Sequence, residues 1–297
     1  MASRGIPRSH ADPRKLDPGQ AAGTRSGAGS DPGQSQMASV DPYMRGRMSP
    51  SANYTKGVAI DEVMQGGGVG EVVASNHPAW KVGEIAESMA FGWQEWSVLT
   101  PELGPPGVNK IDPNLAPIES SLSWLGMPGL TAYFGLLDVG RPRPGETVAV
   151  SAASGAVGQL VGQIAKLAGC RAVAIAGDEA KLGWCREIGF DAGINYKKAP
   201  DLTAAVKEAC PKSMPSSTTQ VALSTTRLIV SRASIRGFLV LDWWHRRDEA
   251  LRRLAEWQLA GKIRFKEDVL EGIERMPEAF LRLLHGKNFG KQIVRIN

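Results

Sequence analysis

Thr147-Val148-Ala149-Val150-Ser151-Ala152-Ala153-Ser154-Gly155-Ala156-Val157-Gly158 is the stretch that decides how this chain folds. Its first five residues form a short apolar β run. The next seven are small and glycine-bearing. Gln159 to Ala168 follows, with Leu160, Val161, Ile164 and Leu167 on one face of a helix. The motif is Ala152-x-x-Gly155-x-x-Gly158, a glycine triplet with alanine in first place. Glycines at such a turn let backbone approach a pyrophosphate, and the helix N-terminus adds amide donors and the positive end of its dipole. The bland alternative is a tight turn of small residues kept for packing. A strand before and a helix after favour the dinucleotide reading.

Downstream, Ala172 to Ala176 reads as a second buried strand, and Asp178 caps a helix running to Ile188. Ala192 to Tyr196 reads as a third strand, and Asp201 opens a helix ending near Ala209. Alternation of this kind implies a doubly wound parallel sheet. The second strand ends Ile175-Ala176-Gly177, with no acid at the position that would bind a ribose 2′-hydroxyl. Lys181 lies in the first turn of the next helix, where an ammonium can reach a 2′-phosphate; the alternative is a solvated surface lysine. NADPH is therefore the expected cofactor.

From Lys212 to Ser234 the pattern fails, because the text is polar until Leu228-Ile229-Val230. That interval is too short for two more strand–helix units, so the sheet is expected to be incomplete. Gly237 to Leu241 then reads as a strand and Arg246 to Ala260 as an amphipathic helix. Ile263 to Val269 reads as β, Pro277 to His285 as helix, and Gln292 to Ile296 as a last strand.

Upstream, residues 1–36 are rich in Gly, Pro, Ser, Arg and Asp, and are expected to be a disordered tail. Ser39 to Val98 is strand-like and glycine-rich, with Glu71-Val72-Val73 and Ser97-Val98-Leu99 as β runs. Ser120 to Leu137 reads as one or two helices broken at Pro128-Gly129. The expected division is 1–36 tail, 37–125 β-rich substrate domain lacking its N-terminal strands, 126–260 dinucleotide domain truncated near 212–228, and 261–297 returning to the first domain.

The 297 residues carry a net charge of +5, with no dense basic block interleaved with aromatics, so nucleic acid is a poor partner. Cys170, Cys185 and Cys210 form no CxxC pair and have no histidine at ligand spacing, so no metal site is expected. His77, before Pro78, reads as structural, because a catalytic zinc needs three protein ligands. No apolar run suggests a membrane span or a secretory leader, and a cytoplasmic protein is the default.

Val40-Asp41-Pro42-Tyr43-Met44-Arg45-Gly46-Arg47-Met48, the Met64–Val73 run and Gly126-Met127-Pro128-Gly129-Leu130-Thr131-Ala132-Tyr133 resemble the zinc-independent medium-chain dehydrogenase/reductases. The likeness is to the branch of prostaglandin/leukotriene, 2-alkenal and curcumin reductases. Val150 to Lys166 and Gly286-Lys287-Asn288-Phe289-Gly290-Lys291 fit the same branch. The resemblance implies an α/β protein, a GroES-like β-rich domain plus a doubly wound Rossmann domain. It implies Gly155, Ala156, Val157 and Gly158 at the pyrophosphate, Lys181 at the 2′-phosphate and Tyr196 on the adenosine side. Phe238, Leu239 and Val240 would lie along the nicotinamide, with Asn288 near the cofactor. Tyr43 and Thr131 would border the nicotinamide and substrate pocket. The implied activity is an ene-reductase: NADPH-dependent reduction of the C=C bond of a small apolar enone or enal, by a homodimer.

Two stretches depart from the family pattern. The tail stands where two or more strands precede the Val40 run. Between Lys212 and Leu228 the family's strands, an asparagine at the cofactor and a tyrosine at the carbonyl have no match; this chain's tyrosines are Tyr43, Tyr54, Tyr133 and Tyr196. The alternatives are a non-catalytic NADPH-binding or dimerising product of an altered gene, and a quinone reductase.

Overall fold

The computed structural model describes residues 31–49, 57–101, 106–210, 217–218 and 235–296. The chain divides into two compact units, 1–122 with 269–285 and 292–297, and 123–268 with 286–291.

The first unit is built on an antiparallel sheet. Its strands are β1 (Asp31–Ser39), β2 (Gly68–Val72), β3 (Ile85–Ser88), β4 (Trp96–Leu99), β5 (Val108–Ile111), β10 (Glu267–Glu271) and β11 (Lys291–Arg295). Their order is β10-β11-β1-β2-β3-β5, with β4 paired to the start of β1. The expectation for residues 31–36 is corrected here: they belong to a strand, not a tail. Asp31–Gln34 pair with Trp96–Leu99, and Gly33–Ser35 with Gly70–Val72. Main-chain ladders hold this segment, so its polar side chains gave no signal. The register shifts between Ser35 and Met37, and Met37 onward pairs with both β2 and β11. A strand therefore does precede the Val40 run.

Gly68 and Gly70 lie inside β2. A Cβ at Gly68 would stand 2.7 Å from the Phe91 Cβ, so the glycine admits that fully buried ring. Among the described residues, one apolar cluster sets Met37, Val69, Leu122 and Ile293 together, and another gathers Val40, Met44, Phe280 and Val294. The short helix α1 (Met44–Arg47) and the helix α7 (Met276–Leu284) contribute Met44, Met276 and Phe280 to the second.

The second unit is α/β. Strands β6 (Thr147–Ser151), β7 (Arg171–Ala176), β8 (Ala192–Asn195) and β9 (Ser217–Thr218) form an open parallel sheet in the order β8-β7-β6-β9. Helices α3 (Gly158–Leu167) and α4 (Glu179–Glu187) make the crossovers, and α5 (Leu202–Ala209) follows β8. The two-residue β9, of Ser and Thr, was invisible to an apolar search; most of the Lys212–Ser234 stretch lies outside the described residues.

Local chemistry sets the helix starts. Asp178 Oδ1 accepts from the Ala180 and Lys181 amides at 2.8 and 3.3 Å, and Asp201 Oδ1 from Thr203 and Ala204 at 2.8 and 3.1 Å. Pro128 opens α2 (Met127–Phe134) rather than breaking a helix, since its missing N–H is harmless in the first turn. Gly129 then passes the Trp124 carbonyl so closely that a Cβ would lie 1.9 Å from its oxygen.

The strand expected at Gly237–Leu241 is also corrected. Val240–Arg246 is a 3-10 helix leading into α6 (Arg247–Leu259). Phe238 packs on Gly135 and edge-on to Trp243, whose indole donates to Asp138 at 3.0 Å. The apolar run thus covers the end of α2 and joins no sheet.

Candidate functional site

The glycine turn after β6 is tight. Gly155 N donates to the Ala152 carbonyl at 2.8 Å. A Cβ at Gly158 would lie 2.4 Å from the Ala152 oxygen and 2.8 Å from the Ala153 Cα, while one at Gly155 would lie 3.1 Å from the same oxygen. The turn closes only without a side chain at 158, and a side chain at 155 would make one tight contact. Ala153 and Ser154 are buried beneath it, and Gly155, Ala156 and Val157 are half-exposed. No side chain caps α3, in contrast to the aspartates on α4 and α5. The Gln159 and Leu160 amides already bond the Gly155 and Val157 carbonyls at 3.1 Å each, so it is the amides of Ala156 to Gly158 that are left to water or to an anion. A half-exposed cradle that glycine alone permits, below an uncapped helix, fits a pyrophosphate.

Ala152 sits at φ +47°, left-handed backbone that a glycine would hold without strain. Ala152→Gly is expected to stabilise the fold by about 1 kcal/mol. Thermal denaturation should show a Tm rise of roughly 2–4 °C. An unchanged or lower Tm would show that the alanine is not strained.

The segment 286–291 is tied to this turn. Gly290 forms a parallel bridge with Gly155, and buried Asn288 donates from Nδ2 to the Gly290 carbonyl at 2.9 Å. Lys181 Nζ donates to the Gly286 carbonyl at 2.6 Å. Partial burial pushes the Lys181 ammonium below the usual lysine range; Asp178 and Asp268 oppose that push and Lys197 adds to it. The second strand ends as expected, without an acid: a Cβ on Gly177 would meet the Tyr196 hydroxyl at 2.7 Å. Lys181, Tyr196 and Asn288 are thus all placed around the phosphate turn and its neighbouring strand end.

A second layer holds the turn from below. Gln159 and Gln163, on α3, bond the main chain of 264–266 as a strand would. Gln159 Oε1 accepts from the Lys266 amide at 2.8 Å, and Gln163 Oε1 from Arg264 at 2.7 Å. The Trp184 indole donates to Gln159 at 3.2 Å, and the Lys266 ammonium lies 4.6 Å from the Trp184 ring and 4.5 Å from Phe289. Sequence reading missed this network, because buried glutamines carry no motif.

The remaining candidates sit elsewhere. Thr131 Oγ1 donates to the Met127 carbonyl at 2.7 Å within α2. Phe238 and Val240 are half-buried and Leu239 is exposed, near the end of α2. Tyr43 belongs to the first unit, with the Arg47 guanidinium 5.6 Å over its ring. Among the described residues, no three His, Cys, Asp or Glu side chains gather as a metal site. The three cysteines are free and buried, and burial pushes the Cys185 thiol up to about 12.

A parallel sheet with a glycine-closed phosphate turn, in a chain that also builds an antiparallel β unit, defines a two-domain nucleotide-dependent oxidoreductase. Family comparison agrees: residues 33–103 match the N-terminal domain of oxidoreductase, and 156–216 match the zinc-binding dehydrogenase family. The chain is 40% identical to a Bacillus subtilis protein named as an NADP-dependent oxidoreductase, over 87% of this chain and 86% of that one. It is 36% identical to the NADP(+)-dependent 2-alkenal reductase of tobacco, Nicotiana tabacum, over 87% and 85%. The crystal structure of CurA from Vibrio vulnificus with NADPH superimposes with a TM-score of 0.81 at 34% identity, covering 92% of this chain and 93% of that one. The chain belongs to the zinc-independent medium-chain dehydrogenase/reductases, with a GroES-like and a Rossmann domain.

Proposed function

We propose that this protein is an NADPH-dependent ene-reductase acting on the C=C bond of small apolar α,β-unsaturated aldehydes or ketones. The observation that carries the reading is the uncapped, glycine-closed turn at Gly155–Gly158, with Gly177, Lys181 and Tyr196 at the neighbouring strand end. The names of the relatives support NADPH and the alkenal class. When bound, reduced nicotinamide supplies a hydride to the β-carbon, charge passes to the carbonyl oxygen, and the α-carbon takes a proton.

The chain's own residues have four tasks. Gly155 to Gly158 hold the pyrophosphate, Ala156 to Gly158 with backbone amides and Gly155 by closing the turn on the Ala152 carbonyl. Lys181 and Tyr196 select the 2′-phosphate. Asn288, fixed by the Gly290 carbonyl, keeps the 286–291 segment against the turn. Tyr43 and Thr131 border the substrate, with Phe238, Leu239 and Val240 along the nicotinamide. With its proton given to Met127, the Thr131 hydroxyl offers its oxygen only as an acceptor, so it lines the pocket and does not stabilise the oxyanion of an enal. The working state is a cytoplasmic homodimer. Among the described residues no helix is long and apolar enough to cross a membrane.

Purified protein should oxidise NADPH when a medium-chain 2-alkenal is added, with saturated aldehyde as product. Loss of nicotinamide absorbance together with product analysis reads both. Tight NADPH binding with no turnover on enals or enones would replace the ene-reductase by a non-catalytic cofactor-binding protein.

A further inference from the structure

The turn after β8 brings a residue to the end of β7 that the glycine motif does not contain. Asn195 fixes this turn: its side-chain oxygen accepts from the Lys197 amide at 3.1 Å, and its carbonyl accepts from Lys198 and Ala199 at 3.1 and 2.9 Å. Tyr196 and Lys197 are thereby folded back over Gly177. A Cβ built there would stand 2.7 Å from the Tyr196 hydroxyl and 2.9 Å from the Lys197 Cε. The phenol and the lysine stem share the space that a strand-end acid would fill.

The charges around this space are unequal. Lys181 is held at its edge by the Gly286 carbonyl, and Lys197 lies close enough to repel it. Asp178 caps α4 and, with Asp268, favours the Lys181 charge, while Glu179 takes Asn195 at 2.7 Å and Lys198 at 3.4 Å. Two ammonium groups and a phenol therefore converge, and Lys197 is the one whose tip lies over Gly177. Like charges so placed repel in the free protein, and a bound dianion removes the repulsion.

We propose that Lys197 is a second cation for the ribose 2′-phosphate, reaching the strand end because Gly177 leaves room for it. The inference rests on the NADPH reading above and adds one residue that decides selectivity. Lys197 meets the phosphate as a flexible point charge, whereas Lys181 is anchored. The nearest atoms to a side chain at 177 are the outer ends of Tyr196 and Lys197, so Gly177→Ala should displace them, leave the fold intact and loosen the clamp.

The test is equilibrium binding, read by nicotinamide fluorescence with NADPH and NADH on the full chain, with thermal melts as a folding control. Loss of one charge-assisted contact corresponds to a change of about tenfold. Lys197→Gln should weaken NADPH by that amount and leave NADH unchanged, and Lys197→Arg should restore it. Gly177→Ala should also narrow the NADPH preference, at unchanged Tm. Wild-type protein that prefers NADPH, with Lys197→Gln binding it equally well, overturns the proposal and spares the cofactor reading. Equal weakening of both cofactors overturns it too, as a structural effect. Wild-type protein that does not distinguish NADPH from NADH overturns the cofactor reading itself.

Discussion

Gly158→Ala is expected to weaken NADPH binding on the order of a hundredfold while the antiparallel β unit keeps its fold. The new methyl would stand 2.4 Å from the Ala152 oxygen and 2.8 Å from the Ala153 Cα. Both are backbone atoms beside a buried strand end, so no side chain can swing aside. The turn must open by lifting either Ala152 or the first turn of α3. Overpacking of this kind costs about 1–3 kcal/mol. The same movement takes the uncapped amides of α3 off the phosphates, and about 2.8 kcal/mol of binding corresponds to a hundredfold in Kd. Gly155→Ala is the internal control. Its methyl would meet a single atom, the same oxygen, at 3.1 Å, which a shift of a few tenths of an ångström relieves. It should lose roughly one third of the effect in free energy, about 1 kcal/mol. Fluorescence titration of NADPH on both variants gives the ratio. Equal Kd values for Gly158→Ala and wild type would mean that this turn does not hold the cofactor.

The glycine turn was readable because its requirements are local: a strand, small residues and an amphipathic helix follow one another within about twenty residues. The aspartate caps at 178 and 201 were readable for the same reason. What escaped the sequence is held by distant partners. Asp31–Gln34 carry no alternating pattern and become a strand only through main-chain pairing with Trp96–Leu99. Phe238 to Leu241 are apolar and β-like, yet the run covers Gly135 and turns into a 3-10 helix. A short apolar run does not by itself separate these outcomes. Within the site, Lys181 and Tyr196 were legible, the first from the strand end and the second from family resemblance. Lys197 was not, because it reads as half of a solvated Lys197-Lys198 pair until the Asn195 turn folds it over Gly177. The two lysines part company in space: Lys198 turns to Glu179 and Lys197 to the strand end.

Gly290→Ala should be among the most destabilising single-methyl changes in the second unit, and it should weaken the cofactor from outside the glycine motif. Gly290 has φ +87°, which alone costs an alanine about 1–2 kcal/mol. Its Cβ would also lie 2.1 Å from the Lys266 carbonyl oxygen and 2.5 Å from its carbon. That carbonyl already accepts from the Lys291 amide at 3.0 Å and from Gln159 Nε2 at 3.0 Å, so it cannot retreat without breaking both bonds. Strain and overpacking together come to about 2–5 kcal/mol. At roughly 2–4 °C for each kcal/mol, the Tm should fall by about 4–20 °C. Gly286→Ala separates the two causes. Gly286 is also left-handed, at φ +63°, but an added Cβ meets nothing within 4 Å. That variant should lose only the conformational part, about 1–2 kcal/mol. The difference between the variants measures the close approach of Gly290 to Lys266. Because Gly290 bridges Gly155, that approach also sets one wall of the phosphate turn. NADPH affinity should therefore fall in Gly290→Ala and hold in Gly286→Ala, whose backbone carbonyl still receives Lys181. A Gly290→Ala protein that melts early yet binds NADPH as wild type does would show that the segment 286–291 supports the fold and not the site.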